Sequence, residues 1–183
     1  PSRDSREIVA TAGLSARETH YSVEAEAATE VFAALLVGAL LGWEADRIVD
    51  VAWASTGSAF DDVAARVISA DPATRASWEA STSGYVIDGL RLAVHGLLDF
   101  SSFDEAVLAL ANLGGDADTN AAIYGQLGGA FFGVEAIRPS WRDLIHDGDQ
   151  IDALARDLIA LDLGEPRTRF DEDLPAGPFS SPT

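Results

Sequence analysis

The chain contains no cysteine and no methionine. Without cysteine it can form no disulfide, no zinc-thiolate centre and no thiol nucleophile. Methionine is missing even from position 1, and a start at Pro1-Ser2-Arg3 reads as a fragment or a processed product. Basic side chains are few. Twelve Lys and Arg stand against 30 Asp and Glu, a net charge of −18, and the arginines are scattered. Binding to a nucleic-acid backbone rests on clustered Lys and Arg, so that class of partner is not expected. No secretory h-region is visible and no apolar run reaches the ~20 residues a membrane span requires, which makes the cytoplasm the default location. No strand-like alternation persists beyond a few residues, and no internal repeat is evident.

The 183 residues are enough for one domain with a sizeable core. Helical periodicity runs through most of them. Val23 to Leu41 is alanine-rich and apolar at helical spacing, with Glu24, Glu26 and Glu30 toward its N-terminal half, and Gly42 ends it. Further helices are expected from Ala45 to about Ser55, Asp61 to Ala70, about Tyr85 to Leu98, and from a Ser102 cap to about Leu113. Trp141 to His146 and Asp149 to Leu163 supply the last ones. Asp61-Asp62 reads as the acidic start of a helix. The predicted class is all-α, with a helical domain over residues 1–165. A Pro/Gly-rich tail over 166–183, including the acidic Asp171-Glu172-Asp173, is expected to be solvated and to pack in no single conformation.

The richest stretch is Gly114-Gly115-Asp116-Ala117-Asp118-Thr119-Asn120. It sets two carboxylates and a hydroxyl at the mouth of an uncharged helix. Hard oxygen donors of this kind suit Mg²⁺ or Mn²⁺. Asp116 and Thr119 share a face in a regular helix while Asp118 points away, so all three converge only if Asp116 and Ala117 lie in the entering turn. The helix is therefore expected to start near Asp118, after a turn that the two glycines permit. The plainer account is capping, since Asp is a favoured N-cap, but one acid suffices for that. From Thr119 to Val134 the run is charge-free, and Ala121, Gly125, Gly129 and Gly133 recur every four residues. That stripe predicts a face on which another helix backbone approaches closely.

Other residues are weighed singly. His20 sits in the polar Glu18-Thr19-His20-Tyr21-Ser22 loop, where a lone histidine is usually a surface or capping residue. Tyr85 follows the small-residue loop Ser81-Thr82-Ser83-Gly84; a core aromatic is its plain reading, a ring at a cleft edge the functional one. Backbone N–H groups at such a helix start could also bind pyrophosphate. His95 and His146 read as structural, and Phe131, Phe132 and Trp141 as core.

Gly-Gly-Asp-Ala-Asp-Thr-Asn, followed by Ala-Ala-Ile-Tyr-Gly-Gln-Leu-Gly-Gly-Ala-Phe-Phe-Gly and Ile137-Arg138-Pro139-Ser140-Trp141, closely resembles the C-terminal signature of the ADP-ribosylglycohydrolase family. Gly84-Tyr85-Val86 is similar to that family's Gly-Tyr-Val segment, and Thr19-His20 to its Thr-His element. Phe103-Asp104-Glu105-Ala106-Val107, leading to Asn112-Leu113, resembles the stretch before its metal motif. The resemblance covers roughly residues 5 to 145. Family members commonly carry in addition a Thr-Asp-Asp-Thr motif and a glycine-rich phosphate loop, and neither is found here, so the chain looks like the C-terminal portion of such a protein.

The resemblance implies a metal-dependent hydrolase that removes ADP-ribose from an acceptor such as a protein arginine or a small molecule, by attack of a metal-activated water on the anomeric carbon. Asp116, Asp118 and Thr119 would supply one side of a binuclear Mg²⁺ or Mn²⁺ centre, with Asp116 and Asp118 catalytic. His20, Gly84 and Tyr85 would contact substrate. A missing N-terminal half, in the same or another chain, would complete the site, leaving this fragment inactive alone. Two other classes stay open: a noncatalytic ADP-ribose or nucleotide-binding module, and a helical interaction domain.

Overall fold

The computed structural model describes residues 5–55, 61–69 and 71–163. Ten α-helices follow one another in these residues: α1 (Ser5–Ala16), α2 (Val23–Leu40), α3 (Ala45–Ser55), α4 (Asp61–Val67), α5 (Pro72–Ser77), α6 (Val86–Asp99), α7 (Phe103–Ala111), α8 (Ala117–Phe132), α9 (Pro139–Arg142) and α10 (Gly148–Leu163). Among the described residues there is no strand, and no helix is long and apolar enough to cross a membrane. The expected tail over 166–183, with Asp171-Glu172-Asp173, lies outside the described residues.

Three helices make the centre. α2 is the longest, and its alanines let neighbours come close: Ala27, Ala28, Val31, Ala34 and Leu35 are buried along it. The Ser22 hydroxyl caps its start by accepting from the Ala25 N–H, and Gly42 at φ 72° turns the chain away at its end. α1 and α3 pack on α2, while α6 packs on α8 and α7 closes over both. Ile87, Leu92, Val94, Leu110, Tyr124 and Leu127 are completely or nearly completely buried where these elements meet. Phe131, Phe132 and Trp141 pack against this core, as expected of them.

The glycine stripe of α8 does not do what its spacing predicts. A Cβ added at Gly125 or Gly129 would meet nothing within 4 Å, and Gly133, at φ 79°, lies past the helix end as its C-cap. The orientation of α8 is set instead by Tyr124 and Leu127, both fully buried, which turn Gly125 and Gly129 away from the core. Close approach comes from the opposite partner. On α6, a Cβ at Gly89 would fall 2.8 Å from Ile123 Cδ1, and one at Gly96 would fall 2.5 Å from Tyr124 Cδ2. The small residues that let α6 and α8 touch are therefore mainly on α6.

Smaller differences concern helix ends. α4 stops at Val67 rather than Ala70. The helix expected over Trp141 to His146 is the short α9 beginning at Pro139, with the proline in its first turn. His146 falls in the turn beyond it, exposed and 3.2 Å from an Asp147 carboxylate oxygen.

Candidate active site

The two glycines before Asp116 act as the sequence predicts: Gly114 has φ 79° and Gly115 φ 61°, a region that L-residues with a Cβ avoid. The turn they make delivers Asp116 to the N-cap position of α8, which begins at Ala117, one residue ahead of the expected start near Asp118. Asp116 does not cap. Its side chain makes no hydrogen bond to the first-turn amides. Instead, Oδ1 accepts a hydrogen bond from the Thr119 hydroxyl at 3.0 Å, and Oδ2 lies against Gly84, whose added Cβ would sit 3.1 Å away. Asp118 stands in the same first turn, exposed and without a hydrogen bond or ion pair among the described residues. Asp116 and Thr119 are thus brought together.

The Asp116 turn is interlocked with the loop before α6. The Asp116 N–H donates to the Thr82 carbonyl at 2.8 Å, and a Cβ on Gly115 would come within 2.4 Å of that same oxygen. Tyr85 is the N-cap residue of α6, one position before the helix proper, and its own side chain makes no capping hydrogen bond. Tyr85 is 41% exposed, so it is not the core aromatic of its plain reading. The Tyr85 hydroxyl donates to Glu24 Oε1 at 2.6 Å and accepts from Arg66 Nη2 at 2.5 Å. Arg66 also donates to Glu24 at 2.5 Å, closing a three-membered cluster. Bonds from Tyr85 and Arg66 hold the Glu24 carboxyl below its ordinary range, and bonds to Tyr85 and Glu24 push the Arg66 guanidinium up.

Glu24 belongs to the first turn of α2, so the starts of α2, α6 and α8 meet in one continuous set of contacts through Glu24, Tyr85, Gly84 and Asp116. His20 is exposed in the turn that leads into α2, with Nδ1 3.0 Å from the Thr19 hydroxyl. No contact places it against Tyr85, Gly84 or Asp116; its link to the mouth is the chain itself, through Ser22, whose N–H donates to the His20 carbonyl.

Sequence reasoning missed Glu24 and Arg66 as parts of this mouth. Glu24 was legible only as an acid suited to a helix start, and it lies 61 residues from Tyr85 and 42 from Arg66. Asp88 was also missed. It is a buried carboxylate in a first turn, accepting from the Ser81 and Ser83 hydroxyls at 2.8 and 2.6 Å.

His95 is buried and hydrogen-bonded on both ring nitrogens. Its Nδ1 lies 2.7 Å from Asp99, which also pairs with Arg75 of α5, and its Nε2 3.1 Å from Glu79.

A protein found in Pseudomonas putida and named ADP-ribosylarginine hydrolase Tri1 is 40% identical over 78 residues, covering 43% of this chain and 21% of that protein. The ADP-ribosyl-dinitrogen reductase glycohydrolase of Rhodospirillum rubrum is 33% identical over 64 residues, covering 35% of this chain and 22% of that one. A solved structure described as an ADP-ribosylglycohydrolase-related protein complex superposes with a TM-score of 0.70 at 32% identity, covering 85% of this chain. The match takes in 53% of that solved chain, so this chain spans about half of its length. Residues 2–167 match the profile of the family described as ADP-ribosylglycohydrolase, and the chain belongs to that family.

Proposed function

We propose that the mouth formed by α2, α6 and α8 is one side of a site that hydrolyses the bond between ADP-ribose and an acceptor, with a protein arginine as the acceptor. The observation that carries this is the Asp116 carboxylate, which occupies an N-cap position yet caps nothing, accepting instead from the Thr119 hydroxyl beside the bare backbone of Gly84. The acceptor is inferred from similarity to the proteins named for ADP-ribosylarginine and for ADP-ribosyl-dinitrogen reductase.

Asp116, Asp118 and Thr119 offer hard oxygen donors only, which fits Mg²⁺ or Mn²⁺. Among the described residues no group of three or more His, Cys, Asp or Glu could hold an ion. In this reading the chain supplies part of a ligand set, and a segment equivalent to the unmatched part of its relatives supplies the rest. When bound, such a metal lends Lewis acidity and lowers the pKa of water for attack at the anomeric carbon.

The chain's own residues do the remaining work. Asp116 and Asp118 place negative charge where positive charge develops on the sugar, favouring an oxocarbenium-like transition state. Tyr85, its hydroxyl engaged by Glu24 and Arg66, presents the ring as a wall of the substrate cleft. Gly84 leaves room for Asp116 beside that wall. His20 joins the substrate side from the α2 approach.

The test is release of ADP-ribose from an ADP-ribosyl-arginine substrate with excess Mg²⁺ or Mn²⁺. The chain alone is expected to show little or no turnover, and the protein completed with the segment that its relatives carry is expected to be active. Asp118→Asn in the completed protein should abolish turnover with helical circular dichroism unchanged. Parental turnover by that variant would remove the catalytic role of Asp118.

A further inference from the structure

Asp88 is 7% exposed, sits in the first turn of α6 and has no place in the chemistry described above. One of its oxygens, Oδ2, accepts from both the Ser81 and the Ser83 hydroxyls, at 2.8 and 2.6 Å. Those two serines flank Thr82. The Thr82 carbonyl is the acceptor for the Asp116 N–H at 2.8 Å, and the Ser83 hydroxyl in turn accepts from the Tyr85 N–H at 3.2 Å. The other oxygen, Oδ1, is 3.6 Å from Arg91 one turn along the helix. A single buried carboxylate therefore grips the loop on both sides of the residue that holds Asp116, and reaches Tyr85 through the same serine.

We infer that Asp88 is a positioning residue for the mouth: by fixing Ser81 and Ser83 it fixes the Thr82 carbonyl, and with it the placement of Asp116 and Tyr85. This rests on the reading of Asp116 as a ligand-binding carboxylate, although the mechanical part of the inference does not. The hydroxyls that satisfy this buried carboxylate are the two that bracket Thr82, so satisfying Asp88 and placing the Thr82 carbonyl are one arrangement. Polar groups that orient a metal-binding side chain from behind typically change metal affinity about 10- to 100-fold when they are removed.

Two variants separate positioning from folding. Ser81→Ala/Ser83→Ala leaves Asp88 and Arg91 in place and removes the grip on the loop, together with the acceptor of the Tyr85 N–H, so Asp116 is the amide that reads positioning; Asp88→Asn keeps an acceptor oxygen and should largely preserve the grip. Amide hydrogen exchange on the full chain is the first measurement. In the double serine variant the Asp116 and Tyr85 amides should exchange roughly tenfold faster, while core amides such as those of Leu35 and Val94 keep the parental rate. In Asp88→Asn the change at Asp116 and Tyr85 should be much smaller. Unchanged exchange at Asp116 in the serine variant, or acceleration spread evenly through the core, would overturn the positioning role. Mn²⁺ affinity of the completed protein is the second measurement, and it should fall at least about tenfold in the serine variant. Equal Mn²⁺ affinity in parent and serine variant would overturn the link from Asp88 to the ligand site. If the completed parent bound no Mn²⁺, the metal reading of Asp116 would fail, and the exchange result would still decide what Asp88 does to the loop.

Discussion

The bare backbone of Gly96 lies against the ring of Tyr124, so close that a methyl group at Gly96 would stand 2.5 Å from Cδ2 and 2.7 Å from Cε2. That ring is fully buried and stacks near Phe103 at 6.0 Å between centroids, leaving it little room to retreat. Gly96→Ala is expected to destabilise the protein by ~1–3 kcal/mol through overpacking, despite the better helix propensity of alanine. Chemical denaturation checks it, and a midpoint at or above the parent's would contradict the contact.

Gly129→Ala should behave in the opposite way. Its Cβ would meet nothing within 4 Å, and the position is interior to α8, so the gain of ~0.5–1 kcal/mol that alanine brings to a helix should appear undiminished. Measured side by side, the two substitutions tell which glycines carry the α6–α8 approach. Loss of stability at both positions would mean that the open face of α8 is covered in solution.

Gly115→Ala combines two penalties. The residue is at φ 61°, and its Cβ would fall 2.3 Å from the Thr82 hydroxyl and 2.4 Å from the Thr82 carbonyl. The left-handed conformation alone costs ~1–2 kcal/mol for a residue with a Cβ, and the clash forces the loop to move as well. The expected result is a lower melting temperature together with shifted amide resonances for Thr82 and Asp116. A spectrum unchanged at those residues would show that the loops are not in contact.

Acid should weaken the protein through the Arg75–Asp99 pair. Arg75 is buried and donates twice to Asp99, from Nε and Nη2, both at 2.6 Å; these bonds, more than the one from His95, hold the Asp99 carboxyl below its ordinary range. Because the folded-state value is depressed, the unfolded chain takes up this proton first as pH falls. The stabilisation is complete above the ordinary Asp value of ~3.9 and is lost as pH drops through the lower folded-state value. Asp99→Asn should therefore be less stable at pH 7, by about 3 kcal/mol since it strands a buried guanidinium, and should show a shallower acid limb below about pH 4. An acid limb identical to the parent's would assign that limb to other carboxylates.

Much of this architecture could be read from local signals. Gly42 ends α2, Ser102 caps α7 by accepting from the Glu105 N–H, and Gly114-Gly115 make a left-handed turn into α8, each because a single residue's backbone or hydroxyl chemistry decides the outcome. The azimuth of α8 was not legible. Four-residue spacing marks a stripe without saying which way it faces, and the volume of Tyr124 and Leu127 outweighed the smallness of Gly125 and Gly129. The mouth was legible in part. Asp116, Thr119, Gly84 and Tyr85 lie in compact motifs, whereas Glu24, Arg66 and Asp88 act through partners chosen by tertiary packing. Nothing in the neighbourhood of Arg66 in the sequence says that it will meet a tyrosine 19 residues away and a glutamate 42 residues away.

The wedging of Asp116 between Gly84 and Thr119 has an entropic meaning. A carboxylate at the start of a helix normally samples several rotamers, and a ligand that needs one of them must bear the cost of freezing the rest, ~0.5–1.5 kcal/mol for an immobilised side chain. Here one oxygen lies where a Cβ on Gly84 would fall 3.1 Å from it, and the Thr119 hydroxyl engages the other. That freedom is surrendered when the chain folds and is charged against its stability, so whatever binds at this carboxylate meets a group whose orientation is already chosen.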